Sequence, residues 1–149
     1  MIPPTATSQM KGVRIVQPKG KRPFISHYKK KALLEIEEKF TLALKPHRPP
    51  SRITGPIELE CEWVFPWRSS EPKQIRTQYE RIRKDTKPDC DNINKLLQDV
   101  MTELDFWKDD SQVCKLNVAK FWGDHPGISV QIIYGDSLPT MPKKTTPQS

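Results

Sequence analysis

The strongest constraint on the fold is a strict alternation of side chains between Ile57 and Phe65. Five apolar side chains occupy every second position, and three glutamates and a valine lie between them. Because successive side chains of a β-strand point to opposite faces of a sheet, this period predicts a strand with one buried face. A second layer must cover that face, since one sheet cannot bury it alone.

Two segments with apolar residues at helical spacing are predicted to form the covering layer. The first helix is predicted to begin with Ser26 as its N-cap and to end at Leu44, before a proline-rich stretch. The second helix is predicted from Asn92 to Leu104. The apolar positions of the two helices are Leu33, Ile36, Phe40 and Leu44, followed by Ile93, Leu96, Leu97, Val100 and Leu104.

The other segments complete an α+β domain. Residues 13–16, 114–119 and 128–134 are predicted strands, and the turn at 123–127 is predicted to connect the last two as a hairpin. Residues 66–88 are predicted to form a long polar loop, either functional or partly disordered. The fold class is therefore α+β, with a small, mainly antiparallel or mixed sheet packed against two helices. Residues 1–135 are predicted to form this single domain, and 136–149 a disordered tail.

Charge and residue usage exclude several classes of protein. No apolar run is long enough for a membrane span, and the N-terminus lacks the pattern of a secretory signal, so a cytoplasmic protein is expected. Three widely spaced cysteines argue against a disulfide framework, and three scattered histidines argue against a zinc site. No glycine-rich phosphate loop indicates a nucleotide cofactor. The net charge of +7 makes nucleic acid the first partner to consider.

An acidic cluster lies where the second helix is predicted to begin. Asp89, Asp91 and Asn92 fall within four residues. One such residue would suffice to cap the helix, and its carboxylate would suit the positive end of the helix dipole. Two carboxylates repel each other unless a cation lies between them, and Mg²⁺ prefers such oxygen ligands. Capping and metal binding both remain open from this cluster alone.

The surrounding residues favour the metal. Lys95 follows Asp91 by four residues and shares its helical face, where it forms either a surface ion pair or a contact to phosphate. A second acidic pair, Asp109 and Asp110, follows the helix. Residues 89–110 contain seven acids and two bases, a net charge of −5, which leaves +12 on the rest of the chain. An acidic island in a basic protein is typical of a metal-dependent phosphodiesterase.

Two segments resemble the RusA family of Holliday junction resolvases. Residues 87–95 read KPDCDNINK and residues 104–113 read LDFWKDDSQV. They are similar to the family's D-x-D-N-x-x-K segment and its W-x-D-D-x-Q-[VI] segment, with a helix between them. The basic arm, helix, strand and basic loop before these segments also resemble the family's layout.

The resemblance implies an endodeoxyribonuclease that resolves Holliday junctions by paired symmetric nicks in DNA recombination and repair. By that resemblance Asp89, Asp91 and Asp110 would bind Mg²⁺, with Mn²⁺ as a substitute, and Lys95 would assist catalysis. It also implies a homodimer acting on branched DNA, encoded by a bacterium or a phage. The alternatives are a basic DNA-binding protein without catalysis and a nuclease for flaps or other branched DNA.

Two basic stretches are the candidate DNA-binding surface. The first has six bases and no acid in residues 19–31, and the second runs through the loop at 66–88 into the acidic cluster. Each has the alternative interpretation of a solvated face. The candidate residues are Lys19, Lys21, Arg22, Lys29, Lys30, Arg76, Arg81, Arg83, Lys84 and Lys87.

The distance along the chain leaves two ways for Asp110 to join Asp89 and Asp91. A helix from Asn92 to Leu104 rises about 20 Å at ~1.5 Å per residue. The six residues that follow can just span that length if fully extended at ~3.3 Å each. Either the segment at 105–108, which we favour, doubles back along the helix, or Asp110 comes from a partner subunit.

Overall fold

The computed structural model describes residues 1, 3–4, 11–16, 24–29 and 31–145. Short 3₁₀ turns at Lys45–His47, Asp110–Gln112 and Gly135–Ser137 accompany its strands and helices. In chain order these are β1 (Lys11–Val16), β2 (Phe24–Lys29), α1 (Lys31–Leu44), β3 (Ile57–Pro66), α2 (Lys73–Gln78), β4 (Arg81–Arg83), α3 (Cys90–Glu103), β5 (Val113–Gly123) and β6 (Gly127–Tyr134).

Strand β3 lies inside a mixed sheet whose strand order is β4-β5-β3-β6. It runs parallel to β5 and antiparallel to β6, and β4 pairs antiparallel with β5 at the edge. The apolar residues of the alternating segment are buried and the residues between them are half-buried. The α+β class with a small mixed sheet is therefore confirmed, and the period-two pattern identified its interior strand.

The predicted hairpin between β5 and β6 is wrong. These two strands flank β3 instead of pairing with each other. The turn chemistry at 123–127 correctly indicated a chain reversal, but it carries no information about whether a third strand lies between the two arms. Gly123 packs closely here, because a Cβ at this position would come within 2.9 Å of Val64 Cγ1.

Two other predicted boundaries also need correction. The first helix begins at Lys31 and not at Ser26, because residues 24–29 form β2 and pair antiparallel with β1. Phe24, Ile25 and Tyr28 are residue types that favour strands, and this pairing outweighs the N-cap signal at Ser26. The strand predicted at 13–16 lies within β1. A disordered tail at 136–149 stays a prediction.

The long polar stretch at 66–88 contains regular structure that the sequence analysis missed. Helix α2 follows Pro72, and β4 adds a short edge strand in which Ile82 pairs with Trp122 of β5. Each element is six residues or fewer, too short for a periodic pattern to stand out among the surrounding charges.

Helices α1 and α3 supply the apolar faces that complete the core. Phe40 packs edge-on against Trp63 with ring centroids 6.0 Å apart. The Trp63 indole donates to Oδ1 of the fully buried Asn94 at 3.3 Å, so this polar side chain is satisfied within the core. The predicted apolar positions of α3 at Ile93, Leu96, Leu97 and Val100 are all buried.

Among the described residues no helix is long and apolar enough to cross a bilayer.

Candidate active site

Asp89 and Asp91 lie at the N-terminus of α3. Asp89 is the N-cap residue, with extended backbone angles of φ −68° and ψ 147°, but its side chain makes no capping hydrogen bond. Asp91 is in the first turn, and both side chains are exposed. Capping therefore does not use the Asp89 carboxylate, which is free to bind a ligand. The positive end of the helix dipole favours negative charge at this position.

Lys95 and Asp99 continue the same helical face. Lys95 Nζ lies 3.5 Å from Asp99 Oδ1, an i,i+4 ion pair between partly exposed groups. Partial burial raises the pKa of Asp99, which the neighbouring Lys95 opposes and the negative charge of Asp110 reinforces. Asp91, Lys95 and Asp99 thus form a row along α3, and its far end meets the second acidic segment.

The chain reverses direction directly after α3. Asp105 adopts a positive φ of 64° and its carboxylate accepts two bonds from Arg52, at 3.0 and 2.6 Å. The Phe106 amide donates to the Met101 carbonyl, and the Phe106 carbonyl accepts from the Ile53 amide at 2.9 Å. This reversal folds the following residues back along the helix, as the sequence analysis favoured. The segment that folds back reaches only the last turns of α3, where Asp110 bonds to Thr102.

The second motif is a hydrogen-bonded unit that holds Asp110. Asp110 Oδ1 accepts from the indole nitrogen of buried Trp107 at 3.0 Å and from the Thr102 hydroxyl. Asp109 caps the following 3₁₀ turn by accepting from the Ser111 amide at 2.8 Å, and these bonds lower the pKa of Asp109. The two acids therefore differ in role, because Asp109 caps the turn and Asp110 is oriented by Trp107.

Gln112 fastens this unit to the rest of the protein. Its Nε2 donates to the carbonyls of Ile53 and Gly55 at 2.9 and 3.0 Å. Its Oε1 accepts from the amides of Lys108 and Asp109 at 2.9 and 3.2 Å. The glutamine of the motif is therefore explained by four backbone partners on two separate segments.

We expect Gln112→Ala to lower the free energy of unfolding by about 2 kcal/mol, because four backbone hydrogen bonds lose one shared partner. Urea denaturation monitored by tryptophan fluorescence measures the change. Ser111→Ala is the matched control, since it is the neighbouring residue of the same turn and its backbone amide keeps the 2.8 Å bond to Asp109. Equal stability of the two variants would contradict this role for Gln112.

The structure does not bring the three proposed metal ligands together in one chain. Asp110 contacts Asp99, and Asp99 lies eight residues from Asp91 along the helix, about 12 Å at ~1.5 Å per residue. In the described part of the chain, no three acidic, histidine or cysteine side chains are grouped closely enough to hold a metal ion. The carboxylate oxygens suit Mg²⁺ chemically, but one chain alone does not complete the ligand set.

The candidate DNA-binding residues divide into distinct groups. Lys19, Lys21, Arg22 and Lys30 lie outside the described residues, and Lys29 is in β2. Arg76 donates to the Arg68 carbonyl at 2.6 Å, and Arg81 pairs with Glu62 at 2.7 Å. Arg83 and Lys87 are exposed beside the lead into α3.

Lys84, a candidate DNA contact from the sequence, is buried. Its ammonium lies 3.7 Å from the centroid of the Trp122 ring and donates to the Thr86 hydroxyl at 2.6 Å. Burial lowers the pKa of Lys84, and the positive charge of Lys120 adds to this effect. A lysine in a basic stretch gives no sequence signal for such burial.

Comparisons with known proteins identify related sequences. A family model described as Endodeoxyribonuclease RusA matches residues 2–133. The "Uncharacterized protein YqaN" of Bacillus subtilis (strain 168) is 36% identical over 95 residues, which cover 61% of this chain and 66% of that protein. The "Crossover junction endodeoxyribonuclease rusA" of Lactococcus phage r1t is 41% identical over 49 residues, 33% of this chain and 37% of the phage protein. The matches therefore span less than two thirds of either relative.

Proposed function

The chain belongs to the RusA endodeoxyribonuclease family, and from this membership we propose that it is a Mg²⁺-dependent endonuclease that resolves Holliday junctions by paired nicks. The observation that carries the proposal is the family match over residues 2–133, which include every candidate site residue. Two observations support it: the Asp89 carboxylate makes no capping hydrogen bond, and Trp107 and Thr102 hold the Asp110 carboxylate in a fixed orientation through Oδ1. We propose residues 1–135 as the nuclease domain and 136–149 as its tail.

Asp89, Asp91 and Asp110 are the proposed ligands of the divalent cation, either Mg²⁺ or Mn²⁺. A cation bound there would polarise the scissile phosphate and lower the pKa of a bound water. We propose that Lys95 stabilises negative charge on the phosphoryl oxygens. It follows Asp91 by four residues on the same helical face, and its Nζ lies 3.5 Å from Asp99 Oδ1.

A homodimer is proposed to complete the ligand set. Within one chain Asp110 lies about two helical turns from Asp91, at ~5.4 Å per turn, which is too far for a shared ion. A twofold axis that brought Asp110 of one subunit against Asp89 and Asp91 of the other would form two equivalent sites. Two such sites suit two symmetric nicks. This arrangement differs from the single-chain site that the sequence analysis favoured.

A synthetic four-way junction tests the proposed function directly. We expect paired nicks at symmetric positions with Mg²⁺ or Mn²⁺ and none with excess chelator. A 5′-flap and a duplex of matched length are the comparison substrates. Preferential cutting of the flap would indicate a branched-DNA nuclease, and binding without cleavage would indicate a DNA-binding protein. Either outcome would contradict junction resolution.

Substitution of exposed Arg83 and of buried Lys84 is expected to have different effects on DNA binding. The slope of log affinity against log salt concentration is negative. Arg83→Ala is expected to make it shallower by about 0.9, the value for one lost phosphate contact on duplex DNA. Lys84→Met is expected to leave that slope unchanged, because its ammonium faces Trp122 and not solvent. Fluorescence anisotropy with a labelled junction in chelator measures both. A shallower slope for Lys84→Met would contradict the inference that Lys84 makes no contact with phosphate.

A further inference from the structure

The positions of Asp89 and Asp91 depend on the backbone that leads into α3. The Asp89 carbonyl accepts from the Ile93 amide at 3.0 Å, but the Asp89 side chain makes no capping bond to α3. Residues 84–88, the lead-in segment, therefore help to set the direction in which the chain enters this N-cap residue. The segment connects edge strand β4 to the helix, and it contains Pro88, which has no amide hydrogen to donate. Contacts from outside α3 hold this segment.

Lys120 of β5 binds the lead-in segment at both ends. Its backbone carbonyl accepts from the Lys84 amide at 3.1 Å. Its ammonium donates to the Thr86 carbonyl at 2.6 Å and to the Pro88 carbonyl at 2.8 Å. In register, Lys120 is the partner of buried Trp63, so it projects from the face of the sheet on which α3 packs. One residue thus joins the sheet to the helix start.

The chemistry of these contacts requires a cationic donor on a long side chain. The Pro88 carbonyl belongs to the peptide bond directly before Asp89, so the ammonium holds the chain one peptide unit from the first proposed metal ligand. Hydrogen bonds from a charged group are stronger than those between neutral groups, and an ammonium can serve two carbonyls at once. An apolar side chain of similar length would leave both carbonyls without this partner.

We propose that Lys120 is a positioning residue for the metal site, which sets the direction in which Asp89 and Asp91 project. The proposal rests on the proposed function, because it assigns these carboxylates to the metal. Its contacts are to the backbone of the lead-in segment, so it would act on the ligands through the chain and not as a ligand itself. Outer-shell partners of metal ligands typically contribute about 10–100-fold to metal affinity, and Lys120 acts on the ligands in this way through the backbone.

The test compares Lys120→Met with Lys115→Met. Lys115 lies on the same strand and makes a surface ion pair with Glu58 at 3.7 Å, so its variant removes an equivalent charge away from the lead-in segment. We expect Lys120→Met to weaken Mn²⁺ binding by about 10–100-fold, measured by electron paramagnetic resonance without DNA. The amide resonances of residues 89–91 should also shift. Lys115→Met should change neither, and Lys120→Arg should recover most of the affinity.

Equal Mn²⁺ affinity and equal amide shifts in the two methionine variants would overturn the proposal. If Lys120→Met does not fold, Lys120→Gln, which keeps an uncharged NH₂ donor group and removes the positive charge, carries the same comparison. These readouts do not depend on cleavage. Wild-type protein that binds Mn²⁺ but leaves the junction uncut would contradict the proposed function alone. If wild type binds no Mn²⁺, the amide shifts alone decide whether Lys120 positions the helix start.

Discussion

Asp91→Asn is expected to slow junction cleavage about a thousandfold while leaving junction binding intact. The substitution keeps the size of the side chain and the fold of the first helical turn, but it removes the charge of one proposed metal ligand. Metal catalysis supplies several kcal/mol of transition-state stabilisation, and ~4 kcal/mol corresponds to about a thousandfold in rate. We therefore expect the single-turnover rate with Mg²⁺ to fall about a thousandfold. Anisotropy in chelator should show affinity equal to or higher than wild type, since a negative charge is lost.

The matched control for Asp91→Asn is Asp136→Asn. Asp136 is an exposed acid in the 3₁₀ turn after β6, so its variant makes the same change in net charge away from α3. We expect it to cleave at the wild-type rate. Cleavage by Asp91→Asn at that same rate would show that the carboxylates at the helix start are not ligands of a catalytic metal. The acidic cluster would then have only an electrostatic role at the helix N-terminus.

Periodicity predicted the faces of the elements and could not predict their neighbours. The alternation from Ile57 to Phe65 identified the buried face of β3 because burial depends on side-chain direction alone. The placement of β5 and β6 on either side of β3 depends on long-range pairing, which no local pattern encodes. Ser26 illustrates the same limit, since a suitable N-cap residue lies inside a strand that pairs with β1.

The candidate site shows the same division between local and tertiary information. The two acidic segments were recognisable because their carboxylates lie close together in sequence. The partners of Gln112 at Ile53 and Gly55 are almost sixty residues distant, so its role required the fold. Lys84 and Lys120 are alike in sequence, yet one packs on an aromatic ring and the other binds two carbonyls. Residue type gave no means of separating them from lysines on the surface.

Mixing subunits that carry Asp89→Asn and Asp110→Asn is expected to restore nicking. If Asp110 joins the carboxylates of the partner, a heterodimer has one site with both substitutions and one site with the full wild-type set. Such a heterodimer should nick one strand at about half the wild-type rate, because one of two symmetric sites is intact. Both homodimers should be inactive. Co-expression with two different affinity tags isolates the heterodimer, and a denaturing gel distinguishes one nick from two.

A heterodimer of Asp89→Asn with Asp91→Asn provides the discriminating control. These two acids lie at the same helix start, so each site of that heterodimer carries one substitution whether or not Asp110 crosses between subunits. It should stay inactive. Failure of the Asp89→Asn and Asp110→Asn heterodimer to nick would place all three ligands in one chain. Asp110 would then have to leave Trp107 and Thr102 and move about two turns along α3, at ~5.4 Å per turn, to reach Asp91. A monomeric wild-type protein in sedimentation experiments would contradict the shared site without any cleavage assay.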